Sequence, residues 1–564
     1  MAKIYSKGSN IYVAGNLNEP ILDMWFTEGL IYKMPRRNGL FVAPLSNLYS
    51  MLSVAPNLNN DVLNGLVEEE LARSVATEDL IRYGVAEDDP EVDELGLWPH
   101  QVLGVRLARI NKRFGFWFDT RTGKTRMMIQ AMYEAISEGR CTRALVICPT
   151  SIIPSWLNDF KEFKPELKVA AYYGTDKQKK LALETPCHVF IMSMELTVKN
   201  IELLRRIGFK YVVVDESSKL KSHRSQISKT LLDYASEVEY WYLLSATPAP
   251  NNEAEYYIQM RTIDEFIFPP SRTAFVNMYF DNVSRNPAFE KLQIKYNKRA
   301  EFMDRVRTKS VYIDQSVMPT AGKEWHVYTY EPEAATLDVY NEFRKHAVIE
   351  LAGEKISADM VAAINAKLSQ ITSGFIIDTD AVNENRLLRR AGEKSDLVEI
   401  YRLDSPYKPS HRAHELCKLL ANLDGPIVIW ANYKQEFADI KEILGSECRC
   451  INGKTPVADK FEFIKQFKAH KIKYLVCHPL SVGMGINLTE AHHAVYYSLS
   501  YSYEALKQSS ERICGHITVQ PDKCHYWILC AAGTIDEAIY KNVSAKKTTA
   551  LDFLYALKGD KDEI

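Results

Sequence analysis

Nine short apolar runs punctuate this chain, and their spacing leaves little freedom in the fold. Five lie between residues 114 and 248, in FGFWFDT, RALVICPT, HVFIMS, KYVVVDE and YWYLLSATP; four lie between 426 and 530, in PIVIWAN, KYLVCHP, HAVYYS and CHYWILC. A strand that is apolar at consecutive positions is buried on both faces, which is the situation of a parallel sheet covered by helices. Amphipathic stretches such as TRMMIQAMYEAISE separate the runs and read as those helices. The rhythm predicts an α/β protein with two parallel-sheet lobes.

The remaining segments set the expected domain plan. Residues 1–86 contain the strand-like GLIYKMP and GLFVAP and then a helical stretch, which predicts a small α+β N-terminal domain. Residues 87–94 hold six acids and no base, the composition of a solvated linker. The first lobe is expected over 95–264, a mainly helical insertion over 265–410, the second lobe over 411–545 and a tail over 546–564. A hydrophobic content of 46% excludes a disordered chain. Seventy basic against 72 acidic residues exclude a basic nucleic-acid coat, so any such surface is a local patch. Residues 281–309, with eight bases and four acids, offer one, although a salt-bridged helix face has the same composition. No apolar run is long enough for a transmembrane helix, and the N-terminus lacks the apolar core of a secretory signal, so no membrane partner is expected. The ten cysteines form no C-x-x-C pair; they read as reduced thiols of a cytoplasmic protein rather than a zinc ribbon.

Chemistry enters at Phe116-Trp-Phe-Asp-Thr-Arg-Thr-Gly-Lys-Thr125, a strand running through a loop into a helix. Backbone N–H groups at a helix N-terminus bind phosphate oxygens, a following lysine reaches the β- and γ-phosphates, and a hydroxyl ligates Mg²⁺. Thr120, Arg121, Thr122 and Gly123 are the loop positions, with Lys124 and Thr125 in the two side-chain roles. The loop departs from the usual phosphate-loop pattern, with Phe118 and Arg121 at positions commonly glycine. Tyr211-Val-Val-Val-Asp-Glu216 ends an apolar strand in two carboxylates, 91 residues after Lys124. Beside a phosphate loop, Asp215 fits a ligand of Mg²⁺ and Glu216 a general base for water. Ser245 and Thr247, in Ser245-Ala-Thr-Pro248, close a third strand and can couple the acidic strand to its neighbour.

In that order these segments resemble the ATPase motifs of helicase superfamily two, in its SWI/SNF-type DNA translocase branch, across about residues 95–545. Leu97-Trp-Pro-His-Gln101 resembles the branch's adenine-reading motif, with Gln101 23 residues before Lys124. Ala144-Leu-Val-Ile-Cys-Pro-Thr150 resembles the motif that contacts the tracking strand. Asp215-Glu-Ser-Ser-Lys-Leu-Lys221 resembles the acidic motif with its basic continuation, and Leu244-Ser-Ala-Thr-Pro-Ala-Pro-Asn251 the coupling motif with its trailing asparagine. Gly483-Met-Gly-Ile-Asn-Leu488 and Gln508-Ser-Ser-Glu-Arg512 resemble the two second-lobe motifs. The resemblance implies two RecA-like lobes and an ATP site of Gln101, Thr120–Thr125, Gly485, Gln508 and Arg512, with Lys124, Asp215, Glu216 and Arg512 catalytic. It also implies DNA contacts at Thr150, Ser193, Lys219, Lys221, Asn251 and Asn487. Expected cofactors are ATP and Mg²⁺; the expected partner is duplex, forked or branched DNA, bound by a monomer. The second arginine usual three residues after Arg512 is Gly515 here. That keeps open an ATP-gated DNA-binding protein with weak turnover, and an RNA helicase of the same superfamily is the other alternative. The N-terminal GLIYKMPRR and GLFVAP resemble the HARP-type module of annealing helicases. The compact size suggests a bacterial or viral setting.

Overall fold

A computed structural model of the chain describes residues 3–7, 10–14, 32–33, 40–44, 61–250, 252–283, 292–318, 321–353, 358–378, 380–384, 399–479, 487–500, 503–515 and 523–541. The described chain forms two units that meet in sequence between Val317 and Met318.

The first unit opens with an antiparallel sheet of β1 (Lys3–Lys7), β2 (Asn10–Ala14), β3 (Tyr32–Lys33) and β4 (Leu40–Pro44), in the order β1-β2-β4-β3. Helix α1 (Asp61–Tyr83) follows, then α2 (Pro90–Leu95) and α3 (Pro99–Ile110). The centre is a seven-stranded sheet, parallel throughout, of β5 (Arg113–Phe118), β6 (Ala144–Cys148), β7 (Val169–Tyr172), β8 (Val189–Ser193), β9 (Tyr211–Asp215), β10 (Tyr240–Leu244) and, beyond the short antiparallel pair β11 (Phe280–Asn282) and β12 (Leu292–Ile294), β13 (Ser310–Ile313). The order is β13-β5-β10-β9-β6-β8-β7. Every residue of β6, β8, β9 and β10 is buried, as a sheet helix-covered on both faces requires. Helices α4 (Lys124–Ser137) and α5 (Ile153–Phe163) are two of the crossovers.

The second unit is built on a six-stranded parallel sheet of β14 (Lys323–Tyr330), β17 (Ile427–Trp430), β18 (Cys448–Ile451), β19 (Tyr474–Cys477), β20 (His493–Tyr496) and β21 (Cys524–Ala531), ordered β14-β21-β20-β17-β19-β18. A separate antiparallel pair, β15 (Phe375–Ile377) and β16 (Ile400–Arg402), follows the helices Ala334–Gly353 and Ala358–Thr372. The two parallel sheets are the two RecA-like lobes. The ten cysteines are free thiols, and among the described residues no helix is long and apolar enough to cross a membrane.

Two boundaries differ from the sequence expectation. The acidic run at 87–94 is not a loose linker. Asp89 caps α2 by accepting from the Glu91 amide at 3.1 Å, and Gly96 ends it in the left-handed conformation. Arg106 on α3 then clamps Asp89 at 2.8 Å and Glu91 at 2.7 Å, which docks the acidic helix onto the lobe. The expected insertion at 265–410 is divided between the units: β13 joins the first sheet beside β5, and β14 joins the second beside β21. Both are edge strands: β14 is only partly buried along its length and so needs no continuous apolar run, whereas β13 is largely buried but only four residues long.

Candidate nucleotide and nucleic-acid site

Sheet register places the predicted phosphate site. Leu244 of β10 pairs with Asp215 of β9 on one side and Phe116 of β5 on the other, so β9 and β10 end together and β5 runs on to Phe118 just beyond them. The loop after β5, the Asp215–Glu216 pair and Ser245 therefore share the carboxyl edge of the first sheet, where open α/β sheets bind ligands.

The loop is a tight cradle. Lys124, at the N-terminus of α4, donates to the carbonyls of Phe118 at 2.8 Å and Asp119 at 3.1 Å, so its ammonium lies against the loop backbone. Thr122 is fully buried and its hydroxyl donates to Asp119 O at 2.7 Å. The Thr120 amide donates to Asp119 Oδ1 at 2.8 Å. Thr125 follows on the first turn of α4, partly accessible. Gly123 has φ +76°, and a Cβ there would lie 1.9 Å from Gln101 Nε2, so this position requires glycine. Arg121, the other departure from a glycine-rich loop, also sits at positive φ, +65°, and keeps the left-handed geometry without glycine's ease.

Asp215 is buried, which pushes its carboxyl pKa up. Lys124's ammonium, a hydrogen bond from Trp156 Nε1 at 2.9 Å and the Glu216 amide at 2.9 Å pull the other way. Lys124 and Asp215 thus share one electrostatic site. Glu216 occupies the left-handed region at φ +54°, a strained setting typical of functional turns. Ser245 is fully buried and its hydroxyl accepts the Thr247 amide at 3.1 Å, tying the turn after β10. The hydroxyls of Thr120 and Thr247 are buried with no hydrogen-bond partner, two polar atoms held ready along this edge.

Residues 115–374 match the profile of the SNF2-related domain, and residues 411–514 that of the helicase conserved C-terminal domain. The chain thus carries an SNF2-related domain followed by a helicase conserved C-terminal domain. Among its curated relatives, the chicken (Gallus gallus) "DNA repair and recombination protein RAD54B" is 23% identical over 510 residues, 80% of this chain and 54% of the relative. The fission yeast (Schizosaccharomyces pombe) "ATP-dependent helicase fft1" is 22% identical over 76% of this chain and 49% of its own length. This chain thus spans about half the length of these relatives. The SWI2/SNF2 ATPase core of Sulfolobus solfataricus solved with duplex DNA aligns over 80% of this chain and 92% of its own at 18% identity, with a TM-score of 0.36, too loose a superposition to carry an argument.

Within this SNF2-type frame several expected residues take other posts. Gln101 is 1% exposed and spends its amide inside the protein: Oε1 accepts from the Trp98 amide at 3.0 Å, and Nε2 donates to Thr122 O at 3.2 Å. It anchors the phosphate loop instead of presenting both ends to a base. His100 does the same, with Nε2 2.8 Å from Thr122 O. Ser193 is buried at the end of β8 and caps the following helix by accepting from the Leu196 amide at 3.2 Å, a structural rather than a DNA-facing position. Thr150 and Lys219 are exposed and Lys221 half-buried on the same carboxyl-edge turns. Each described base of the 281–309 patch has a partner: Lys295 on Asn277 O, Lys298 and Arg305 on Glu301, Arg299 near Glu253, Arg307 on Asp304 and Lys309 near Glu70. That patch is in the main a salt-bridged face.

In the second unit, Gln508 and Arg512 follow each other on and just beyond the helix Tyr503–Ser510, Gln508 buried and Arg512 partly accessible. Asn487 is exposed and its side chain accepts the Thr489 amide at 3.1 Å. Gly485, Asn251 and the N-terminal arginines of the HARP-like segment lie outside the described residues. Sequence reasoning placed Trp156 only in the continuation of the motif resembling a tracking-strand contact, not as the buried donor to Asp215, and gave no role to Asp119. No spacing rule joins Trp156 to a carboxylate 59 positions away.

Proposed function

We propose that this chain hydrolyses ATP and uses the cycle to move along duplex DNA, remodelling forks or branched junctions rather than unwinding long duplexes. The observation that carries the reading is the electrostatic pairing of Lys124 with buried Asp215 under a phosphate-loop cradle. The donor set fits a hard cation: a carboxylate and a hydroxyl, Asp215 and Thr125, beside the unpartnered Thr120 and Thr247 hydroxyls. Bound Mg²⁺ would supply charge neutralisation between the phosphates. Lys124 turns from its carbonyl partners to the transferred phosphoryl group, Glu216 orients and deprotonates the attacking water, and Trp156 holds Asp215 in place. Arg512 is the second-unit candidate for neutralising transition-state charge, and the neutral Gln508 a candidate hydrogen-bonding partner of the nucleotide. Thr150, Lys219, Lys221 and Asn487 are the proposed contacts to the DNA backbone, where position matters more than base identity. The SNF2-related domain and a relative named for DNA repair and recombination support DNA over RNA.

The deciding experiment compares phosphate release with no nucleic acid, single-stranded DNA, duplex DNA, forked DNA and RNA, and then strand and triplex displacement with the same preparation. Stimulation by duplex or forked DNA with triplex displacement is expected. Efficient unwinding of blunt duplex without triplex displacement would reject remodelling, and preferential stimulation by RNA would reject the DNA reading. Gly515 favours one rival, an ATP-gated clamp; ATP-dependent DNA binding without stimulated phosphate release would establish it.

A further inference from the structure

The second sheet carries a side-chain cluster that nucleotide chemistry does not use. Glu324 and His326 lie two apart on β14, so they share a face; His525 and Trp527 do the same on β21, and His493 on β20 pairs in register with His525. The opposite face holds Trp325, Tyr526 and Tyr496, stacked on one another within the apolar core. The histidines therefore occupy the other face, half-buried, near the amino ends of three parallel strands. Nucleotides bind such sheets at the carboxyl ends, so this cluster is separate from the phosphate chemistry.

Its geometry is that of a metal site. His326 Nε2 and His525 Nδ1 are 3.1 Å apart, and Glu324 Oε2 is 3.9 Å from His525 Nδ1. One ligand atom from each of the three residues falls within 4.8 Å of the others. Two nitrogens each about 2.05 Å from one tetrahedral ion are separated by about 3.3 Å, so the histidine pair is already at coordination spacing. A modest swing of the Glu324 carboxylate, which also lies 3.6 Å from Lys523 Nζ, completes the set. The rings are held in place before any ion arrives. His326 stacks on Trp527 at 4.2 Å, His525 stacks on His493 at 5.2 Å, and His493 Nδ1 accepts from Trp527 Nε1 at 3.3 Å. The stacking restricts the ring orientations of both candidate ligands.

We propose that Glu324, His326 and His525 form a binding site for one divalent transition-metal ion of the zinc type. Two imidazoles and a carboxylate leave a fourth position for water, and a nitrogen-rich set discriminates against Mg²⁺. The ion takes the place of the hydrogen shared between His326 and His525; that hydrogen moves to the outer nitrogen of its ring, and both histidines bind as neutral imidazoles. The bound ion staples edge strand β14 to β21 where the chain enters the second unit.

The test uses the full chain without an affinity tag and without nucleotide. One Co²⁺ per chain is expected, with the visible bands of nitrogen and oxygen coordination. Zn²⁺ displaces it and millimolar Mg²⁺ does not. Affinity falls at least tenfold in His326→Ala and His525→Ala, falls in Glu324→Gln, and is unchanged in His346→Ala, an exposed histidine elsewhere. Zinc X-ray absorption on the unsubstituted chain gives a second readout that needs no variant to fold, and histidine scattering without a sulfur shell is expected. Absence of saturable Co²⁺ binding, a thiolate charge-transfer band or sulfur shell, or an affinity indifferent to all three substitutions overturns the site.

Discussion

Asp215 shows how a single residue sets stability against activity. Its carboxyl is buried, and burial raises its pKa despite Lys124 and two hydrogen bonds. A carboxyl whose folded pKa exceeds its unfolded value holds its proton more tightly in the folded state, so its contribution is present at low pH and is lost as pH rises through the folded pKa. Above the ordinary carboxylate range burial of this carboxyl is therefore a cost to the folded state, and Asp215→Asn keeps an acceptor for Trp156. The substitution is expected to stabilise the nucleotide-free protein, on the order of 1 kcal/mol in urea denaturation, while lowering kcat at least a hundredfold. Asp159 on the neighbouring helix repeats the effect: burial, Glu162 and Asp215 push it to about 6 from an ordinary 3.8. Stability of the first unit should therefore decline between about pH 4 and pH 6, and Asp159→Asn should flatten that decline in a pH series of thermal melts. At this scale the sequence was a partial guide. Lys124, Asp215 and Glu216 stand out because each ends or begins an element, and such positions follow from pattern. The inward amide of Gln101 does not follow from pattern, because the same residue types fit a base-reading pose and a loop-anchoring pose.

Elements were legible where both faces are buried and illegible at edges. The fully buried β6, β8, β9 and β10 announce themselves as unbroken apolar runs. By contrast β14 mixes Lys323, Glu324 and His326 with its aromatics because one edge has no neighbour, so the helical insertion was drawn too wide. The acidic helix α2 was missed for a related reason. Its cap, its proline and its closing glycine are all readable, but the arginines that neutralise it come from α3. How elements are fastened can be tested at Arg412, on the helix His411–Leu420 and fully buried. Its guanidinium pairs with Asp536 and donates to Tyr330 Oη at 3.0 Å and Ser373 Oγ at 3.0 Å, joining β14, the helical segment before β15 and the segment after β21. Arg412→Ala leaves Asp536 buried and uncompensated, a loss of about 3–5 kcal/mol. The second unit's unfolding transition should fall accordingly in chemical denaturation, and the double variant Arg412→Ala, Asp536→Ala should recover part of the loss.

At the scale of the whole molecule, the proposed ATP turnover depends on what stands at position 515. Gly515 is buried, and its carbonyl accepts the Ala321 amide at 3.0 Å, while Cys514 Sγ lies 3.0 Å from Ala321 O. The turn after Arg512 is thereby laced to the chain just ahead of β14. An arginine at 515 would have to place a long charged side chain at a packed position, where an unpaired buried charge is costly. Gly515→Arg is therefore expected to lower the melting temperature and to raise DNA-stimulated phosphate release by no more than about twofold. Arg512 is different: it is partly accessible, and its backbone amide and carbonyl are already engaged by Ser509 O at 3.0 Å and the Leu488 amide at 2.9 Å. Removing its side chain leaves that backbone frame intact. If Arg512 alone supplies the second lobe's charge to the transition state, Arg512→Ala should cut kcat by about 10³-fold or more with ATP affinity nearly unchanged. Measured together at saturating ATP and duplex DNA, the two variants separate the readings. A large gain from Gly515→Arg, with little loss from Arg512→Ala, would mean that the chain descends from a motor that has lost its arginine; the reverse pattern means that it turns over with Arg512 alone.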